Sequence, residues 1–386
     1  MACYTILMKP QISLIKLSLI QLGGIVGAGA FALPAAFQSM GILSGSAVYW
    51  SMALTVLILH LLYAEIILAR PDLMHARIPG QAGMLFGTTA KIFAYAIYPT
   101  KLIGAIAIYI ILGGGFLHTL VTMVTGAGFG TGVFQMMFWA GGVITVLYGL
   151  AIIAKVESAL ATSLVFLFLL LIIFFIPHAD GGVFSAFIFS TFSKIPFGIF
   201  IFALLGWPVI SEIVEVSNFD AQKSRLAVTA GSLLSALLMW LFGIFAYAAN
   251  TRSANLDPAS LALSLPHGFG WTISAIGFLA IACAFVVNTE ALQAMFVHDA
   301  KLSVKSSRIV ALILPISVLL LVSKNFIDII EFLGSYISTL NALLICAMAY
   351  IVLKNVEHTK TRWRLATPWI CGSIFLAILF QKLFVL

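Results

Sequence analysis

Apolar runs, each near the twenty residues an α-helix needs to cross a bilayer, follow one another along almost the whole chain. Cutting at charge clusters and at Gly, Pro, Asn and Asp turns gives about eleven of them, at approximately 12–38, 43–69, 91–118, 133–153, 158–177, 196–217, 225–249, 270–296, 307–323, 327–353 and 365–384. Hydrocarbon offers no partner to a backbone N–H or C=O, so a run of this length that spans must be a helix. Only 9% of the residues are charged, against about 25% in soluble domains, and mean hydropathy is +1.15. No soluble core hides that much apolar surface. The expectation is one all-α integral membrane domain over residues 1–386, with the lipid bilayer as its surroundings.

The charges orient it. Alternating the runs from a cytoplasmic N-terminus puts fifteen of the 20 lysines and arginines on the inner side and four (Lys194, Arg252, Lys324, Lys382) outside, with Lys101 inside a span. Cytoplasmic loops carry the excess of Lys and Arg. The predicted arrangement is therefore a multi-pass protein of the cell (inner or plasma) membrane, N-terminus in and C-terminus out. Orientation also accounts for the net charge of +7 without a nucleic-acid partner. The first twenty residues lack a cleavage site after a short apolar core and read as the start of a first span, not a signal peptide. Cys3, Cys283, Cys346 and Cys371 are scattered singly, with no metal spacing and no disulfide framework.

Two spans contradict their own helicity. The first carries Gly23-Gly24-Ile25-Val26-Gly27-Ala28-Gly29 and then Ala32-Leu33-Pro34. Each of its four glycines weakens a helix by about 1 kcal/mol relative to alanine. The sixth reads Phe202-Ala203-Leu204-Leu205-Gly206-Trp207-Pro208, and its proline removes a donor and crowds the preceding turn. Interrupted segments at corresponding positions of two halves are the sequence pointer to a mid-membrane binding site in secondary transporters. The two lie five spans apart. That spacing predicts a five-plus-five inverted repeat, with repeat one at about 12–177, repeat two at about 196–353 and an extra helix at about 365–384.

The chemistry of such breaks suits a zwitterion. N–H groups of Gly27, Ala28 and Gly29 open the second half of the first span, where a helix start favours a carboxylate. Carbonyls of Gly23, Gly24 and Ile25, with those of Phe202 and Ala203 beside Gly206, end the preceding halves and would accept from an ammonium. Phe202, Leu204, Trp207 and Tyr109 are the expected lining, and aromatic walls favour a large apolar or aromatic substrate. Ionisable groups inside spans are the other candidates. Lys101 and Glu290 lie at comparable depths in spans three and eight; they read either as a static ion pair or as a pair reporting on proton or conformational state. Glu65 and Glu212 sit nearer helix ends and read as inner-gate or capping groups, with proton carriage as the alternative, and His60 reads as a packed polar residue rather than a relay.

The stretch from Gly23 to Gly29 followed by Ala32-Leu33-Pro34 resembles the first-helix signature of the amino acid/auxin permease family. The similarity is greatest to its bacterial aromatic amino acid (tryptophan/tyrosine) permeases, whose pattern is Gly-Thr-x-Ile-Gly-Ala-Gly and then Leu/Ala-x-Pro. Phe202 to Trp207 ending in Glu212-Ile213, Tyr63-Ala64-Glu65, and Phe296 with Asp299 resemble further parts of that family. The resemblance implies the amino acid–polyamine–organocation fold, no cofactor, and a cation-coupled symporter importing amino acids by alternating access. The coupling ion it implies is H+ or Na+, with the proton favoured. Related transporters hold sodium between helices one and eight, or place a lysine of helix five there; Lys155 is shallow for that role, and Ala282-Cys283-Ala284 offers few hydroxyls. Gly24 stands where the family has a threonine or serine, and Ser211 stands where it has a proline. No Asp-rich or His/Glu cluster of an integral membrane transferase is seen, so no enzyme and no bound metal are expected. A sensor or exchanger on the same fold is the alternative.

Overall fold

The computed structural model describes residues 13–126, 129–148, 165–166, 168–185, 195–251, 267–321, 325–356 and 362–384. Among them every regular element is helical. Among the described residues seven helices are long and apolar enough to cross a membrane: Ile42–Ala69, Thr88–Thr125, Phe197–Val216, Ala221–Ala249, Gly270–His298, Phe326–Asn355 and Leu365–Phe384. They are predicted spans two, three, six, seven, eight, ten and eleven. Span one is a bent pair, Leu14–Ile25 and Ala28–Met40, meeting at 53°. Spans four, five and nine are represented by the apolar helices Thr131–Tyr148, Phe168–His178 and Val304–Leu321. Lys155 and Glu157 lie outside the described residues.

The breaks fall where the glycines and proline put them. The first helix ends at Ile25, Val26 and Gly27 are extended, and a 3-10 turn over Ala28–Ala32 leads into Leu33–Met40. Pro34 is at the start of that second half, where its missing N–H costs nothing. In span six the helix Phe197–Leu204 stops, Leu205 is extended, and a 3-10 turn Trp207–Val209 precedes Ile210–Val216. Phe31 anchors the first turn: its ring lies 5.4 Å from Phe116, 5.8 Å from Phe168 and 5.6 Å from Phe242, on spans three, five and seven. Edge and tilted ring pairs at such distances add specificity to burial.

Packing divides the spans into two groups. Spans one, two, six and seven pack on one another, and spans three, four, eight and nine form a second set, in which the contact of three with eight is the most extensive. Span six is the most central, 89% buried over its apolar window, whereas the last helix is 28% buried and peripheral. That last helix lies against spans two and ten. Its Lys382 ammonium is 2.8 Å from Glu331, whose carboxylate also accepts the Ile199 N–H at 2.9 Å. A π-helical turn, Leu333–Ser338, follows Glu331 and packs against the first half of span six. A short helix between spans two and three, Ile78–Phe86, was not anticipated from hydropathy because it is too short to span.

Candidate functional site

The two breaks cross in direct contact. A Cβ on Gly29 would stand 2.5 Å from the Ala203 α-carbon, and one on Gly24 would stand 2.6 Å from Val209 Cγ2. Only a bare backbone admits this approach, which explains the glycines better than any demand for an unusual dihedral: Gly27 itself is extended, at φ −164° and ψ −152°. Beside the crossing lies a cavity lined by the backbone from Gly23 to Gly29, by Lys101, Ala105 and Tyr109 of span three, by Phe202 and Leu205 of span six, and by Ala284, Val287 and Asn288 of span eight. It therefore sits between the two groups of spans. It leaves about 40 Å³ to the centres of water molecules, room for about three waters. At that size a molecule much larger than water enters only if the walls part.

Backbone groups dominate the lining. The first N–H groups of a helix and its last carbonyls have no intrahelical partner. Donors at the start of Ala28–Ala32 and acceptors at the ends of Leu14–Ile25 and Phe197–Leu204 thus meet at one place. Lys101, Ala105 and Tyr109 recur every four residues and form one stripe on span three. Tyr109 Oη accepts a hydrogen bond from Asn288 Nδ2 at 3.2 Å. The Lys101 ammonium lies 5.2 Å from the Trp207 ring centroid, a cation–π contact, and makes no ion pair with a described residue.

Of the expected lining, Gly23, Gly24, Ile25, Gly27, Ala28, Gly29, Tyr109 and Phe202 border the cavity. Ala203, Leu204, Gly206 and Trp207 are buried or packed behind it, with Trp207 1% exposed. No ion pair joins Lys101 to Glu290 among the described residues. The reason is rotational: Glu290 follows the cavity-lining Asn288 by two residues, about 200° around the helix. Glu65 is held by Arg225, with Nε to Oε1 at 2.5 Å and Nη2 to Oε2 at 2.9 Å, which ties span two to span seven inside one group. Glu212 is exposed at the start of the last helical piece of span six.

Two polar residues emerge that sequence reasoning did not name, Asn288 and Gln81, and two that it named, His60 and Asp299, gain their partners. Asn288 is a mid-span polar side chain and was visible as such. His60 is fully buried and bonded through both ring nitrogens. Asp299 and Gln81 lie together on one face of the molecule, both tied to the short helix Ile78–Phe86. Asp299 accepts the N–H groups of Arg77 and Gly80, each at 3.0 Å, and so caps the short helix Ile78–Phe86 from the end of span eight. Gln81 Nε2 donates to Tyr63 Oη at 3.0 Å, and Arg77 Nη1 donates to the Pro208 carbonyl at 3.5 Å. These contacts latch the short helix, which packs on span three, to spans two and six. Burial raises the Asp299 carboxyl above its ordinary value, against the opposing pull of the Arg77 and Gly80 N–H groups. Asp299 was noticed as part of a family pattern, but its partners, 219 and 222 residues away, were not legible.

No protein-family model and no curated protein sequence matches this chain. Solved structures do. MhsT in complex with L-phenylalanine superposes with a TM-score of 0.67 at 16% identity, covering 96% of this chain and 98% of that one. The inward-facing conformation of Mhp1 gives 0.61 at 15% identity, covering 96% and 90%. Likeness at this identity speaks for architecture, and it agrees with the broken spans: the chain has the all-helical, broken-helix fold of LeuT-type membrane transporters.

Proposed function

We propose that this protein is a secondary transporter that imports amino acids by alternating access, with aromatic or other large neutral ones as substrates and a proton as the coupling ion. The observation that carries the reading is the meeting of two broken spans, with helix-start donors and helix-end acceptors side by side at a closed cavity between two packed groups of spans. The carboxylate is taken by the N–H groups of Gly27, Ala28 and Gly29. The ammonium is taken by carbonyls of Gly23, Gly24, Ile25, Phe202 and Ala203. The structural neighbour that holds L-phenylalanine and the resemblance to aromatic amino acid permeases both support an amino-acid substrate.

Proton coupling is supported by Lys101. It lines the cavity with a ring and, among the described residues, no carboxylate paired to its ammonium, so it would supply the positive charge that a bound sodium would otherwise bring. Releasing that proton and rebinding it on the other side couples the cycle to the pH gradient. Alternating access then follows from movement of spans one, two, six and seven against spans three, four, eight and nine, the latch at Gln81 and Arg77 being broken when that face opens.

Uptake by purified protein in liposomes tests the reading, with pooled labelled amino acids under an imposed pH gradient or an imposed sodium gradient. Accumulation of aromatic amino acids under the pH gradient is expected. Accumulation driven only by sodium overturns the coupling, and no accumulation or exchange of any amino acid overturns the transport reading.

A further inference from the structure

The break in span six frees the N–H of Gly206, which in a continuous helix would bond to the carbonyl of Phe202 four residues back. It is not left unpaired. Gly206 N–H donates to His60 Nε2 of span two at 3.0 Å. A ring nitrogen that accepts carries no proton, so the neutral imidazole has its proton on Nδ1. That Nδ1–H donates to Ser232 Oγ of span seven at 3.0 Å, and Gln21 Nε2 of span one donates to the same oxygen at 3.3 Å. Gln21 and His60 are fully buried and Ser232 is 7% exposed. Gly231 lets spans one and seven come this close, since a Cβ there would meet the Ser18 carbonyl and Gln21 Cβ at 2.5 Å.

Among the described residues this small polar cluster hydrogen-bonds all four spans of one packed group, one, two, six and seven, and no span of the other. Its only backbone member is the N–H released by the break. We propose that His60 is a positioning residue for the binding site: it takes up the N–H that the break releases, fixing the backbone at Gly206 and so holding the Phe202 carbonyl where it can accept the substrate ammonium. Through Ser232 and Gln21 it also fixes the break to its neighbours, so the four spans move as one body. The ammonium part rests on the amino-acid reading above; the holding of the break does not.

Two substitutions separate the ring's two roles. The side-chain carbonyl of His60→Gln reaches the place of Nε2 and keeps an acceptor for Gly206. The shorter His60→Asn reaches only the place of Nδ1, keeping Ser232 and losing Gly206. Hydrogen exchange of the full-length protein, followed by mass spectrometry on peptides spanning 203–209, reads the break directly and needs no substrate. Exchange at Gly206 in His60→Gln within about threefold of the parent, and about a hundredfold faster in His60→Asn, is expected. In liposomes His60→Asn should raise KM about tenfold at similar maximal rate, with His60→Gln near the parent. Ser232→Ala, which leaves the Gly206 bond but removes the anchor of the tautomer, should speed that exchange several-fold, and it serves where His60→Asn does not fold. Equal exchange in the Gln and Asn variants, or no change in Ser232→Ala, overturns the proposal. The expected exchange pattern in a protein that moves no amino acid would sink the transport reading and leave His60 as the holder of the break.

Discussion

Replacing Gly27 by valine separates site from scaffold most cleanly. A Cβ at this position stands 3.3 Å from Tyr109 Oη and 3.9 Å from Ala284 Cβ, two side chains of the cavity wall, and meets no backbone. Valine brings three carbons into a space that holds about three waters. Packing therefore costs no more than the ~1–3 kcal/mol typical of a crowded core, part of it relieved by the empty volume. Binding suffers more. The branched side chain stands between a carboxylate and the N–H groups of Gly27 and Ala28, and hydrogen bonds to a charged group contribute about 1.5–3 kcal/mol each. Losing two weakens binding by about 3–6 kcal/mol, roughly a hundredfold to ten-thousandfold in Kd. Gly29→Val is the contrasting control, because its side chain meets the Ala203 α-carbon at 2.5 Å and should block assembly of the two breaks altogether. Thermal unfolding in detergent and binding of labelled amino acid to the purified protein read both effects. Gly27→Val that unfolds close to the parent temperature yet binds with parental affinity would refute the placement of the carboxylate.

On the proposed proton coupling, Lys101→Met should abolish accumulation driven by a pH gradient while leaving exchange of internal for external substrate, because the backbone lining of the cavity remains; unchanged pH-driven accumulation counts against it. Asp299→Ala leaves two N–H groups at the start of Ile78–Phe86 without acceptors and should lower stability by about 0.5–2 kcal/mol, read by thermal unfolding. The Asp299 carboxyl is raised by burial, so its folded form binds its proton more tightly than the unfolded chain does. Its favourable contribution is thus present below its unfolded value, near 3.8, and lost as pH rises through the raised value. Asp299→Asn should flatten that part of the profile of unfolding temperature against pH, and an unchanged profile would assign the dependence elsewhere.

Local chemistry was legible wherever the membrane makes it decisive. Where the seven long helices can be compared, the predicted ends fall within about four residues except that span three runs on to Thr125, because hydrocarbon forbids unpaired backbone, and the breaks follow from Gly23, Gly24, Gly27, Gly29, Gly206 and Pro208 for the same reason. The candidate cavity was half legible: its backbone came from the breaks, and Tyr109 from its depth in span three. Asn288 was as visible as Tyr109 but had no partner to recommend it until Tyr109 Oη was found 3.2 Å away. Cys346 and Cys371, 25 positions apart in sequence, were read as isolated and come together where spans ten and eleven pack.

Sequence alone determined that this chain is a helical membrane protein, where its spans lie and which two of them break. Each of these depends on residues within one or two turns of each other and on the bilayer's intolerance of free N–H and C=O groups. Tertiary structure decided which way each helix faces. Lys101 turns to Trp207 and not to Glu290, Glu65 is held by Arg225, and His60 takes up the N–H that Gly206 loses. A helix that is apolar on every side carries no stripe to announce its inner face. Its rotation is set by where glycines let backbones touch and where a few buried polar groups find partners, and for Asp299 and Arg77 those partners lie 222 residues apart along the chain.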